Sequence, residues 1–154
     1  MFVLMEDEHI YKRHSKTLLL YHIVLPIKYR CSVVVDAIGD SLKSICLEIS
    51  DRYEMVFIEI GYEPDHVHFL VQSIPSYSVS AIVMKLKSIT ARELFLKHPS
   101  LKKNLWGGNL WTSGYYANTV GLYSSRDVIK QYVSNQGKSK DYKKLHDGQL
   151  SLFD

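Results

Sequence analysis

Cysteine is scarce in this chain: 154 residues contain two, Cys31 and Cys46. They form no Cys-x-x-Cys pair and neither neighbours the histidine motif in sequence, which argues against a thiolate zinc site of ordinary spacing; a disulfide between the two stays open in the sequence, and an intracellular setting disfavours it. They read as reduced, structural thiols. No Gly-x-x-x-x-Gly-Lys loop occurs, so nothing points to chemistry driven by a nucleoside triphosphate. Charged residues interrupt every apolar run before membrane-spanning length, and the start, Glu6-Asp7-Glu8, is unlike a secretory signal. A cytoplasmic protein with no membrane partner is expected. Acidic residues are not gathered as in a two-metal nuclease, and there is no internal repeat or low-complexity tract.

What remains is an ordinary apolar fraction, 46%, enough for one domain with a real core. Net charge is only +3, but it is unevenly spread. Residues 1–70 carry 7 basic and 11 acidic side chains, net −4, whereas residues 71–154 carry 12 and 5, net +7. An electropositive second half suits a polyanion, through phosphate neutralisation and counterion release, and equally suits a solvated basic face.

The periodicities divide the chain into a loosely ordered lead-in at 1–16, a catalytic domain at 17–137 and a polar tail at 138–154. Thr17 to Pro26 has the β-branched and aliphatic content of a strand. Ile38, Leu42, Ile45, Cys46 and Ile49 recur at helical spacing between Asp36 and Arg52. Met55–Tyr62 and His66–Gln72 are two strands joined by a Glu63-Pro64-Asp65 turn. A second helix starts at Ser78, with Val79, Ile82, Val83, Leu86, Thr90 and Leu94 as its buried stripe. Leu110 to Val120 reads as an aromatic-rich strand, and Ser124-Ser125-Arg126-Asp127 as a capping box opening a last helix. This order predicts an α+β, ferredoxin-like (RRM-like) fold: an antiparallel sheet with helices on one face and an added C-terminal helix.

Within the third strand, His66 and His68 alternate, so both imidazoles point to one face, opposite Val67, Phe69 and Val71. The apolar face should meet the helices and the histidine face should stand open. Two imidazoles so placed can be two metal ligands, although a solvated strand face carries the same pattern. In the last helix Tyr132 and Gln136 lie one turn apart, on a shared face. Asp65 can orient an imidazole or simply form the turn. His22 can touch a DNA backbone or be a plain strand histidine. Trp106, Trp111, Tyr115 and Tyr116 can stack on bases, but suit core or subunit packing better.

Together these segments resemble the HUH-superfamily single-tyrosine transposases, the small TnpA-type enzymes that move insertion sequences as single-stranded DNA. The likeness runs from about Leu18 to Gly137. It rests on Tyr21-His22-Ile23-Val24 with Lys28-Tyr29-Arg30, Asp65-His66-Val67-His68, Ser78-Val79-Ser80 and Lys85-Leu86-Lys87, Leu110-Trp111 to Gly114-Tyr115-Tyr116, Thr119-Val120-Gly121, and the Tyr132–Gln136 spacing. The resemblance implies that His66, His68 and Gln136 hold a divalent metal, Mg²⁺ or Mn²⁺, and that Tyr132 attacks a DNA phosphodiester. It further implies hairpin-bearing single-stranded DNA as substrate and a homodimer whose active sites are shared in trans, with Gly121 as the hinge of the tyrosine helix. Lys28, Arg30, Lys85 and Arg92 are candidate DNA contacts.

At the end of the chain, Gln149-Leu150-Ser151-Leu152-Phe153 resembles the peptide by which bacterial replication proteins dock on the sliding clamp. Leu152 and Phe153 would enter an apolar pocket, while Gln149 and Leu150 complete the motif. Competing functional classes are a nonenzymatic single-stranded DNA or RNA binder on the same sheet, a domesticated relative acting on chromosomal repeat hairpins, and a small metal-dependent hydrolase using water. A passive binder would have no need of Tyr132 and Gln136 at helical spacing beside the two histidines.

Overall fold

The first helical periodicity, Asp36 to Arg52, becomes helix α1 with those bounds, and its buried residues include Leu42, Ile45, Cys46 and Ile49. The computed structural model describes residues 9–121. Ahead of α1, strands β1 (Ile10–Lys12) and β2 (Ser15–Thr17) pair as a short antiparallel hairpin. That hairpin takes up the end of the segment expected to be a loose lead-in and runs one residue past it, and Lys12 ties it to Glu54 by an ion pair. Strand β3 (Leu19–Pro26) follows, then a 3₁₀ turn at Lys28–Arg30 in which Tyr29 and Arg30 have positive φ.

Strands β4 (Val56–Glu63) and β5 (His66–Ser73) form the hairpin read from the sequence, and α2 (Val79–Lys97) starts where Ser78 predicted. Ser78 Oγ accepts a hydrogen bond from the Ala81 amide, which satisfies one of the orphan N–H groups at the helix start. A single helical turn, α3 (Leu101–Asn104), leads through Gly107 and Gly108, both at positive φ, to β6 (Tyr116–Thr119). The strand expected over 110–120 is therefore much shorter. Lys87 Nζ donates to the Thr112 carbonyl at 2.7 Å and the Gly114 carbonyl at 2.9 Å, so the backbone here is anchored to α2 before it joins the sheet. Burial lowers the Lys87 pKa.

The four-stranded sheet has the order β4-β5-β3-β6, every neighbouring pair antiparallel. With α1 and α2 as crossovers this is the split βαβ arrangement of a ferredoxin-like domain. Both helices lie on one face, where Ile23, Leu25, Val67, Phe69 and Val71 of the sheet join Leu42, Ile45, Ile49, Ile82 and Leu86 in one cluster. Thr90 sits within it, donating to the Leu86 carbonyl at 2.6 Å and accepting from the Trp111 indole at 3.0 Å, which pins the loop after α3 to α2. Gly39 lies beneath the Tyr62 ring: a Cβ at that position would stand 2.2 Å from a ring carbon, so a larger residue there must displace the end of the Tyr62 side chain. Among the described residues no helix is long and apolar enough to cross a membrane.

Candidate metal and nucleic-acid site

Pairing register decides which side chains share the face opposite the helices. Val24 is paired with His68 and Pro26 with His66, while His22 faces Leu70 on β5 and Asn118 on β6. Directly paired residues in a sheet point the same way. His66, His68, His22, Asn118 and Tyr116 therefore share one face. On β4 the residue across from His68 is Gly61, which brings no side chain to that side of the ring.

Each ligand-candidate imidazole is held through its Nδ1. His66 Nδ1 lies 2.7 Å from Asp65 Oδ1, and the other carboxylate oxygen of Asp65 accepts from the Arg30 guanidinium at 3.0 Å. Burial alone would raise the Asp65 pKa, but the hydrogen bonds and charges of His66 and Arg30 outweigh it and hold the carboxyl at about 2. Asp65 is thus a carboxylate at any working pH, and it orients His66 as carboxylates commonly orient metal-ligating histidines. His68 Nδ1 lies 3.1 Å from His22 Nε2, and the two ring planes are within 13° of parallel with centroids 5.3 Å apart, so the nitrogens meet edge to edge. His22 Nδ1 lies 3.1 Å from Asn118 Oδ1. Burial lowers the His22 pKa to about 4, the hydrogen bond to Asn118 opposing this only in part.

The His66 and His68 rings are 5.0 Å apart between centroids, with planes at 76°. With both Nδ1 atoms engaged in the sheet, Nε2 is the nitrogen each ring would offer to a cation. A pair of imidazoles is a donor set for divalent transition ions, which complete their coordination with further donors. Among the described residues no three His, Cys, Asp or Glu side chains form a ready-made metal cage, so the pair needs a donor from elsewhere. Gln136, the third ligand of the sequence reading, lies outside the described residues, as does Tyr132.

One expectation about this face fails. The histidine face was to stand open, yet His22, His66 and His68 are all no more than 3% exposed, and Gln72 on the same face is buried too. Neighbouring polar groups make this tolerable, because buried imidazoles and amides can be satisfied by one another.

A family model described as "Transposase IS200 like" matches residues 15–136, most of the chain. The chain belongs to the IS200-like transposase family. It is 37% identical over 116 residues to the ISDra2 transposase TnpA of Deinococcus radiodurans, covering 75% of this chain and 82% of that protein. The transposase for insertion sequence element IS200 of Salmonella typhimurium is 28% identical over 123 residues, with 80% of each chain covered. Among solved structures, a Deinococcus radiodurans R1 protein assigned as a transposase matches with TM-score 0.67 at 35% identity, over 82% of this chain and 97% of that one. A REP-associated tyrosine transposase bound to a REP hairpin shares the fold, with TM-score 0.51 at 12% identity, over 80% of this chain and 67% of that one.

In this transposase the four basic candidates for DNA contact separate into two groups. Lys28 and Arg30 sit in the turn after β3, next to the histidine hairpin, where the Ile27 amide donates to the Asp65 carbonyl. Arg30 is engaged with Asp65, and the Lys28 ammonium lies 5.3 Å from the centroid of the exposed Tyr29 ring. Lys85 and Arg92 belong to α2, on the other side of the sheet. The Lys85 ammonium lies 4.6 Å from the centroid of the Tyr53 ring, and Arg92 is well exposed beside Glu93. Gly121 is exposed, has open space where a Cβ would be, and does not require the left-handed backbone of a glycine. Gln149, Leu150, Leu152 and Phe153 lie outside the described residues. Sequence reading missed Asn118 and the Arg30–Asp65 pair, and left His22 undecided. The alternation of β3 marked the face that His22 occupies, but nothing local could name its partners.

Proposed function

We propose that this transposase cleaves and rejoins single-stranded DNA by transesterification, with Tyr132 as the nucleophile and a 5′-phosphotyrosine intermediate. The observation that carries the reading is the pair His66 and His68: buried, adjacent, and each oriented through Nδ1, in a chain of a transposase family. His66, His68 and Gln136 would hold Mg²⁺ or Mn²⁺. When bound, such an ion supplies positive charge to the scissile phosphate and the departing oxygen. The Tyr132 hydroxyl loses its proton and its oxygen bonds to phosphorus, the bond from phosphorus to the 3′ oxygen breaks, and that oxygen takes up a proton. Attack by another strand's 3′-OH on the phosphotyrosine reverses these changes and restores the phenol. One ester replaces another at each step, so no ATP is required. A free phenol with pKa near ~10 is a weak nucleophile at neutral pH, which is why an electropositive site is needed.

Subterminal hairpins as the recognition element, a homodimer with active sites shared in trans about Gly121, and clamp binding by the tail at Gln149–Phe153 belong to the same proposal. Support for hairpins comes from a protein of this fold that is bound to one. The deciding experiment incubates the full chain with hairpin-bearing single-stranded DNA and Mn²⁺. A covalent adduct that survives boiling in detergent is expected from the parent, and none from Tyr132→Phe, which keeps the ring and deletes the hydroxyl. An undiminished adduct from Tyr132→Phe excludes Tyr132 as the nucleophile, and full cleavage after chelation excludes the metal.

A further inference from the structure

We propose that His22 is a positioning residue that fixes the protonation pattern of His68, so that His68 presents an unprotonated Nε2 to the metal. This rests on the metal reading above and extends it to a residue that transesterification itself does not use. The argument begins at Asn118. Its amide Nδ2 donates to the Thr119 carbonyl at 3.0 Å, which fixes the orientation of the amide and turns Oδ1 toward His22. An amide oxygen can only accept, so the Nδ1 of His22, 3.1 Å away, carries the hydrogen. His22 is 3% exposed, with the rings of His68 and Tyr116 beside it, and in a neutral imidazole whose Nδ1 carries the hydrogen Nε2 is an acceptor. His68 Nδ1, 3.1 Å from that acceptor, must then donate.

In the neutral ring of His68 a hydrogen on Nδ1 leaves the lone pair on Nε2. The chain Asn118, His22, His68 thus does for one imidazole what Asp65 does for the other at 2.7 Å, and both ligands reach the same tautomer by different means. A free neutral histidine carries no such instruction. The register of three strands makes the relay possible, because His22 on β3 lies directly across from Asn118 on β6 and diagonally across from His68 on β5.

Long-range ¹H–¹⁵N spectra of the ¹⁵N-histidine-labelled full chain, metal-free and near neutral pH, read the tautomers directly. The hydrogen is expected on Nδ1 in His22, His66 and His68; Nε2–H on His22 or His68 overturns the relay. Mn²⁺ affinity, followed by electron paramagnetic resonance, gives the second measurement. His22→Gln can return an amide oxygen to the Nε2 position and should keep affinity within about threefold, whereas His22→Phe should weaken it by roughly 10- to 100-fold, the usual scale for outer-sphere partners of a ligand. Equal affinity for His22→Phe and the parent overturns the positioning role. Should His22→Phe fail to fold, the parent spectrum still decides. A parent chain that takes up no Mn²⁺ overturns the metal reading, while the spectrum independently supports or overturns the relay.

Discussion

The two faces of the sheet are almost equally buried and chemically opposite. On the helix side, Val67, Phe69 and Val71 are fully covered by α1 and α2, and their contribution is apolar burial. On the other side, from the same strand, His66 and His68 are equally inaccessible but surrounded by Asp65, His22 and, one residue further, Asn118. Burial by itself therefore does not distinguish core from site in this transposase. Polar groups arranged to satisfy and orient one another do, since a carboxylate, two rings and an amide serve packing less well than aliphatic residues would. The Phe69 and His68 side chains project from adjacent residues, so substitutions one position apart should have different consequences.

The largest separation is expected from Phe69→Ala and His68→Ala. Removing the Phe69 ring from the packed layer should destabilise the fold by about 3–5 kcal/mol in urea unfolding, with Mn²⁺ uptake retained by whatever fraction stays folded. His68→Ala should lose cleavage altogether, with a stability loss of about 1–2 kcal/mol from the partners it leaves behind. If the folded fraction of Phe69→Ala also fails to take up Mn²⁺, the two faces are energetically one unit and the comparison breaks.

Acid should act on the histidine face first. His22 has a folded pKa of about 4, below the ordinary ~6.5, so the unfolded chain binds its proton more readily. Its contribution is fully present above pH ~6.5 and is lost as pH falls through that value toward 4. Metal-free protein should lose about 2 kcal/mol of stability on this account by pH 5, where Asp65, held at about 2, is still ionised. Thermal unfolding between pH 7 and 4.5 checks it: a parent and His22→Gln with the same slope would remove His22 as the source. The smallest effect belongs to the helix layer. Ser78→Ala removes the N-terminal cap of α2 and should cost about 1 kcal/mol, with Mn²⁺ affinity unchanged. A change in affinity would mean that α2 couples through the sheet to the histidines.

Much of the fold was legible before any coordinates. Apolar spacing placed α1 and the buried stripe of α2, and the hairpin of β4 and β5 followed from alternation around Pro64, because these signals are local and each is repeated several times. Residues 110–120 were less legible. Their aromatic, β-branched composition suits a strand, yet Lys87 binds two of their carbonyls and only Tyr116–Thr119 enters the sheet. The histidine face was assigned correctly as a face and wrongly as open, since alternation reports which side a residue points to and not what stands beside it.

By itself, then, the sequence determined the order of β3, α1, β4, β5, α2 and β6, the side of β5 that bears both histidines, and the pattern of the transposase family. Tertiary structure decided that His22 meets His68, that Asn118 fixes His22, and that Arg30 turns to Asp65. The reason is physical. A period of two is written in neighbouring residues, whereas strand register is an agreement between segments as distant as His22 and Asn118, 96 positions apart, and it is reached only when the whole sheet packs on its helices.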